Sequence, residues 1–128
     1  MNKIEQKAIG AVLGGHDANL GNTEVTHANG VASVRLFGHL IAEYVTWRGD
    51  KHRGALRVWH AGYPTRTTAS RINALVKGLT GVSHNAMTVR KGEPLFEGTP
   101  FETVIEVRVT LADTYGDTFS FKPLNQQE

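Results

Sequence analysis

Cysteine is absent from this sequence, which excludes disulfide staples and thiolate metal sites and fits a reducing compartment. Long apolar runs are also missing, and nothing nears the roughly 20 residues that span a bilayer. The one segment that resembles a leader, Ala8 to Gly15, is short, lies among Glu5, Lys7 and Asp17, and lacks a convincing cleavage site. A mature cytosolic N-terminus is therefore expected, with no membrane partner. No Gly-rich loop ending in Gly-Lys-Ser/Thr precedes a helix, so a nucleotide-hydrolysing P-loop is excluded. Ser33, Ser70, Ser83 and Ser120 lack the Gly-x-Ser-x-Gly elbow of a serine nucleophile. The histidines at 16, 27, 39, 52, 60 and 84 form no His-x-x-x-His pair and are scattered over different elements. Glu102 and Glu106 share a strand face only because their separation is even. With no catalytic constellation in view, neither an enzyme nor a metal or other cofactor is expected.

Acidic residues are scarce in one place only. Between residues 48 and 91 nine lysines and arginines face a single acid, Asp50, whereas from residue 92 onward seven acids face Arg108 and Lys122. The net charge of +2 hides this split. Such asymmetry describes a surface field, and therefore partners, more than a fold. Two readings stay open: the basic middle faces a polyanion, or the acidic end folds back and neutralises it.

Periodicity supplies the elements. Ile4, Ala8, Ala11 and Val12 mark a helix over Asn2–Leu13, stopped by Gly14-Gly15. Asn29-Gly30 between Thr23–Thr26 and Val31–Phe37 is the best hairpin signal. Gly38 marks a bulge or tight turn before a strand over Leu40–Trp47. Arg48 to Gly54 reads as a turn, Ala55–His60 as a strand, and Thr65 or Thr67 to Leu79 as the main helix, capped by threonine and closed by Gly78 and Gly81. Strands are expected over Ala86–Lys91, Leu95–Glu97, Phe101–Leu111 and Thr118–Lys122, with a turn at Tyr115-Gly116-Asp117. The fold class is α+β: an antiparallel sheet, meander plus C-terminal strands, packed on one central helix with a short N-terminal helix. Residues 1–128 are read as one domain.

The central helix offers a candidate surface. At about 100° per residue, Thr68, Ala69, Ile72, Leu75, Val76 and Leu79 share the face that meets the sheet. Arg66, Ser70, Asn73 and Lys77 recur on the far side as a ribbon of donors, with Arg71 at the edge. Thr65 to Thr68, Thr67 included, puts hydroxyls and a guanidinium at the positive end of the helix. Aromatic Tyr44, Trp47, Trp59 and Tyr63 interleave with Arg48, Arg53, Arg57 and Arg66, the mixture that grips single-stranded nucleic acid by stacking and charge. The competing explanation is ordinary: a polar outer face, threonine caps and buried tryptophans.

Two stretches carry a resemblance. Gly62-Tyr63-Pro64-Thr65-Arg66-Thr67-Thr68-Ala69-Ser70-Arg71-Ile72-Asn73 and, upstream, Val34-Arg35-Leu36-Phe37-Gly38-His39-Leu40-Ile41-Ala42 resemble a paired signature of a family of small tailed-bacteriophage proteins of unknown function. Tyr63 stands where tryptophan is commoner in that signature, and Phe37 where histidine is. The match covers roughly residues 23 to 80. It implies phage origin and action in the cytoplasm of an infected bacterium, and it transfers no activity.

Three functional expectations follow. The first is a phage accessory protein that binds DNA, RNA or another polyanion through residues 48–91. The second is a protein that binds and modulates a host factor of defence or transcription, with the acidic strands as DNA-like contact. The third is a virion assembly component. Oligomeric state is left open.

Overall fold

The computed structural model describes residues 1–47, 50–102, 104–110 and 118–124, of which 46, 47, 50–54, 108–110 and 118–124 are described by their backbone. Among the described residues two helices, α1 (Lys3–Gly14) and α2 (Arg66–Thr80), accompany ten strands. These are β1 (Ala18–Asn19), β2 (Thr23–Ala28), β3 (Val31–Leu36), β4 (His39–Trp47), β5 (Asp50–Val58), β6 (Met87–Arg90), β7 (Glu93–Phe96), β8 (Thr99–Pro100), β9 (Val104–Thr110) and β10 (Thr118–Leu124). The main sheet is antiparallel in the order β1-β2-β3-β4-β5-β9-β10, so a meander is extended at β5 by the two C-terminal strands. The α+β class is therefore as expected from the sequence. Two details differ. β6, β7 and β8 form a separate three-stranded sheet, and β5 begins at Asp50, inside the segment read as a turn.

Short hairpins explain the compact meander. Asn29-Gly30, Phe37-Gly38, Lys91-Gly92 and Glu97-Gly98 are two-residue loops in which both residues have positive φ. That geometry matches the twist of paired strands, and glycine in the second position adopts it without strain. Asn29 suits the first position, whereas Phe37, at φ 50°, is a bulky residue in a region such residues avoid.

The helices pack on one face of the main sheet. Ala32, Val34, Leu36, Ala42, Tyr44, Leu56, Val58, Ile105 and Val107 alternate inward along their strands and meet Ala8, Ala11, Val12, Ile72, Leu75 and Val76 in one core cluster. α1 starts at Asn2, whose side chain accepts from the Glu5 N–H while the Glu5 carboxylate accepts from the Asn2 N–H, a reciprocal cap. α2 starts at Thr65, whose hydroxyl accepts from the Thr68 N–H. It ends at Gly81, at φ 80°. Gly78, read from sequence as part of the stop, lies inside the helix, and Ile9 crosses so close that a Cβ would sit 2.4 Å from its Cδ1.

The two helices run in the same sense, with Glu5 against Ser70 and Arg71, and Ile9 against Gly78. Between them lies a buried ion pair: Arg71 Nη1 donates to Glu5 Oε2 at 2.8 Å, both side chains under a tenth exposed. Arg71 Nε also donates to Thr23 Oγ1 at 3.0 Å and Nη2 to Asn22 Oδ1 at 3.4 Å, which joins both helices to the start of β2. Arg71 is thus a tie inside the protein and not part of an outer contact face, correcting its assignment from sequence. Burial by itself would raise the Glu5 pKa. Hydrogen bonds from Ser70, the Asn2 N–H and Arg71, together with the Arg71 charge, outweigh burial and hold it below the ordinary glutamate value.

A carboxylate with a lowered folded-state pKa stabilises the protein above its unfolded pKa, and that contribution is lost as pH falls through the folded value. Chemical unfolding of wild type and Glu5→Gln as a function of pH should therefore show the full difference above roughly pH 4.3, the ordinary glutamate pKa, and a difference that shrinks below it as pH falls through the lowered folded value. Arg71→Ala is expected to lower unfolding free energy by about 3–5 kcal/mol, because it strands a buried carboxylate. The double change Glu5→Leu/Arg71→Met should recover most of that loss in the same denaturant titration.

Candidate functional site

The outer side of α2 floors a groove of about 750 Å³. One wall is the start of the chain, Met1 with Glu5, and the other is β6 with Met87, Thr88 and Val89. Arg66 and Lys77 stand at its two ends, eleven residues apart in the helix, hence roughly 16 Å along the axis. Neither has a carboxylate partner among the described residues. Among the described residues the one carboxylate in the lining, Glu5, is already engaged by Arg71 and Ser70. The groove is consequently net positive, and its β6 wall leads to the exposed Arg90 and Lys91 at the hairpin tip.

The predicted ribbon is partly internal. Arg66 and Ser70 are exposed and Lys77 is half-buried, as spacing implied. Ser70, however, spends its hydroxyl on Glu5 Oε2 at 2.5 Å. Asn73 is buried: its amide nitrogen donates to the Met87 carbonyl at 2.9 Å and its amide oxygen accepts from the Met87 N–H at 2.7 Å. It pairs with β6 as a neighbouring strand would, so it holds the groove wall and is not a free donor for a ligand. Helical spacing could not reveal this, because the angle of a side chain about its axis says nothing of a second sheet packed against it.

The remaining candidates divide sharply. Arg57 is paired across strands with Glu106, Nε to Oε2 at 3.3 Å, and so is tied to an acid of the last third. The register places Glu43 beside Arg57 as well, so Glu43, Arg57 and Glu106 are neighbours across β4, β5 and β9 on the sheet face away from the helices. Arg48 lies outside the described residues, and the side chains of Arg53 and Trp47 are likewise not described. Thr67 is half-buried in the first turn of α2. Tyr63 is 55% exposed, immediately before Pro64 and Arg66.

On the other side of the Tyr63–Arg66 segment is a second depression of about 230 Å³ with a mainly apolar lining. Leu36, Phe37, His39 and Ile41 contribute one side and Tyr63, Thr65 and Thr68 the other. The two stretches that carry the family resemblance thus meet in space although they are far apart in sequence. Phe37, 68% exposed at the hairpin tip, and Tyr63 are among the most exposed large apolar side chains. The Tyr63 ring lies 4.7 Å from the ring of His39. His60 below is held in place: Nε2 donates to the Phe101 carbonyl at 2.8 Å, while Nδ1 accepts from the Gly62 N–H at 3.1 Å. Phe37 and His39 were absent from the sequence-derived site; an aromatic before glycine in a tight turn was the available signal.

The other histidines are dispersed. The His27 ring meets the Ala11 carbonyl and the His84 ring meets Glu97. Among the described residues no three acidic or histidine side chains gather as a metal cage would need. No helix among them is long and apolar enough to cross a membrane.

Residues 1–111 match the family described as Kyanoviridae Gp96 protein. No curated protein and no solved structure matches the chain.

Asn73→Ala should release β6 from α2. Hydrogen exchange is expected to show lost protection at the Met87 amide, with global stability falling by about 1–3 kcal/mol, the penalty of two buried backbone groups left unpaired. Unchanged Met87 protection would mean that another contact holds the groove wall.

Proposed function

The chain belongs to the Kyanoviridae Gp96 family of phage proteins, and we propose that it acts as an accessory protein that binds single-stranded nucleic acid along the α2 groove, in the cytoplasm of the infected cell. One observation carries this reading: a net-positive groove with Arg66 and Lys77, which have no carboxylate partner among the described residues, at its ends, bordered at Tyr63 by exposed aromatic rings. Phosphates along a groove and rings beside it are the two ingredients of sequence-tolerant single-strand binding.

The shape favours a single strand over a duplex. A helix that reads double-stranded DNA projects into the major groove. Here α2 is recessed between the chain start and β6, so it offers a floor and not a ridge. A flexible strand enters such a channel, while a rigid duplex meets only the rims. Arg66 and Lys77 then contact backbone phosphates, which gives affinity without sequence preference.

Binding of a fluorescent oligothymidylate followed by anisotropy over a salt series tests the proposal. Affinity should fall steeply with salt. Arg66→Ala/Lys77→Ala should lower the slope of log K against log salt by about 1.4, the value for two lost single-strand phosphate contacts. A salt-independent affinity, or no binding at low salt, would refute it.

A further inference from the structure

Resting on that reading, we propose that the cleft between Phe37 and Tyr63 is a nucleobase subsite, which takes one flat ring from the strand whose phosphates lie in the groove. The cleft is about 230 Å³, below the roughly 300–1,000 Å³ typical of sites for drug-sized ligands and suited to a single small ring. Its walls are aromatic and aliphatic. Its polar groups are few: the Thr65 and Thr68 hydroxyls, 3.1 Å apart, the imidazole of His39, and that of His60, whose two nitrogens are engaged by backbone groups. Such a lining stacks on any base face and selects weakly among bases. Arg66 follows Thr65 directly, so one short segment contacts both the ring in the cleft and the charge in the groove.

The backbone supplies the second argument. Phe37 occupies the first position of a two-residue turn at φ 50°, where asparagine or glycine fits and a bulky side chain is strained. The strain is not offset by burial, since the side chain is 68% exposed. A residue unfavourable both in conformation and in exposure points to a contact made outside the folded chain. Charge complementarity decides what that contact is. A peptide or a second copy of the chain would fill an apolar cleft, but the cation beside it and the positive groove beyond call for a ligand that is both aromatic and anionic.

The experiment compares three probes of matched length: an oligothymidylate, the same oligomer with abasic sites throughout, and inorganic polyphosphate. The base-bearing oligomer should bind roughly five- to a hundred-fold tighter than the abasic one, the range expected for loss of base stacking. Tyr63→Ala and Phe37→Asn should reduce the preference toward unity by weakening the base-bearing oligomer far more than the abasic one, and Tyr63→Phe should retain it. Phe37→Asn also creates an Asn-Gly turn, so its melting temperature should rise as base preference falls, which separates a contact role from a structural one. Equal binding of all three probes would overturn the base subsite and leave the groove as a polyanion site. Failure of every probe to bind would remove both. Base preference that survives Phe37→Asn and Tyr63→Ala would place the stacking surface elsewhere and overturn this assignment.

Discussion

The Glu5–Arg71 ion pair is the contact on which the remaining geometry depends. It lies where both helices meet the first long strand, and both partners make further hydrogen bonds: Asn2 and Ser70 on Glu5, Thr23 and Asn22 around Arg71. A buried pair is a weak source of net stability, because desolvation offsets most of its attraction. What it supplies here is register. Glu5 is in the first turn of α1 and Arg71 in the second turn of α2, so their meeting fixes how far one helix is shifted along the other.

Both depressions inherit that register. Glu5 and Ser70 line the groove directly, and Met1 becomes its wall because α1 is held at this height. On the other side, Asn22 accepts from Arg71 through its side chain and from the Phe37 N–H through its carbonyl, at 2.8 Å. The hairpin tip that presents Phe37 is thereby connected to the same polar cluster. One arginine, buried and without access to any ligand, sets the relative position of two surfaces that have no atoms in common.

The charge asymmetry along the chain resolves into two different fates. Arg57 and Arg71 are neutralised within the fold, one by Glu106 across a sheet and one by Glu5 between helices. Arg66, Arg90 and Lys91 remain exposed, and Lys77 reaches the groove. Part of the acidic end does cover part of the basic middle, but on the sheet face opposite the helices. Counting charges along a sequence treats these as one population; the sheet sorts them, because alternate residues of a strand point to opposite faces.

Local physics made much of the architecture legible. Asn2, Gly15, Thr65 and Gly81 bound the helices through capping chemistry that involves only near neighbours, and Asn29-Gly30 marks its hairpin through dihedral preference. The exposure of Arg66 and Ser70 followed from helical spacing. Arg71 and Asn73 were misread for the same reason that the caps were read well: their partners, Glu5 and Met87, come from other elements. The aromatic cleft was invisible for the same cause, since Phe37 and Tyr63 meet only once β3 and β4 are laid beside the start of α2. What the amino-acid order determined by itself was where elements begin, end and turn, since those choices are settled within a few residues of backbone. Which polar side chains are consumed inside and which are left for a partner was decided only when distant segments packed, because burial and pairing belong to space and not to sequence.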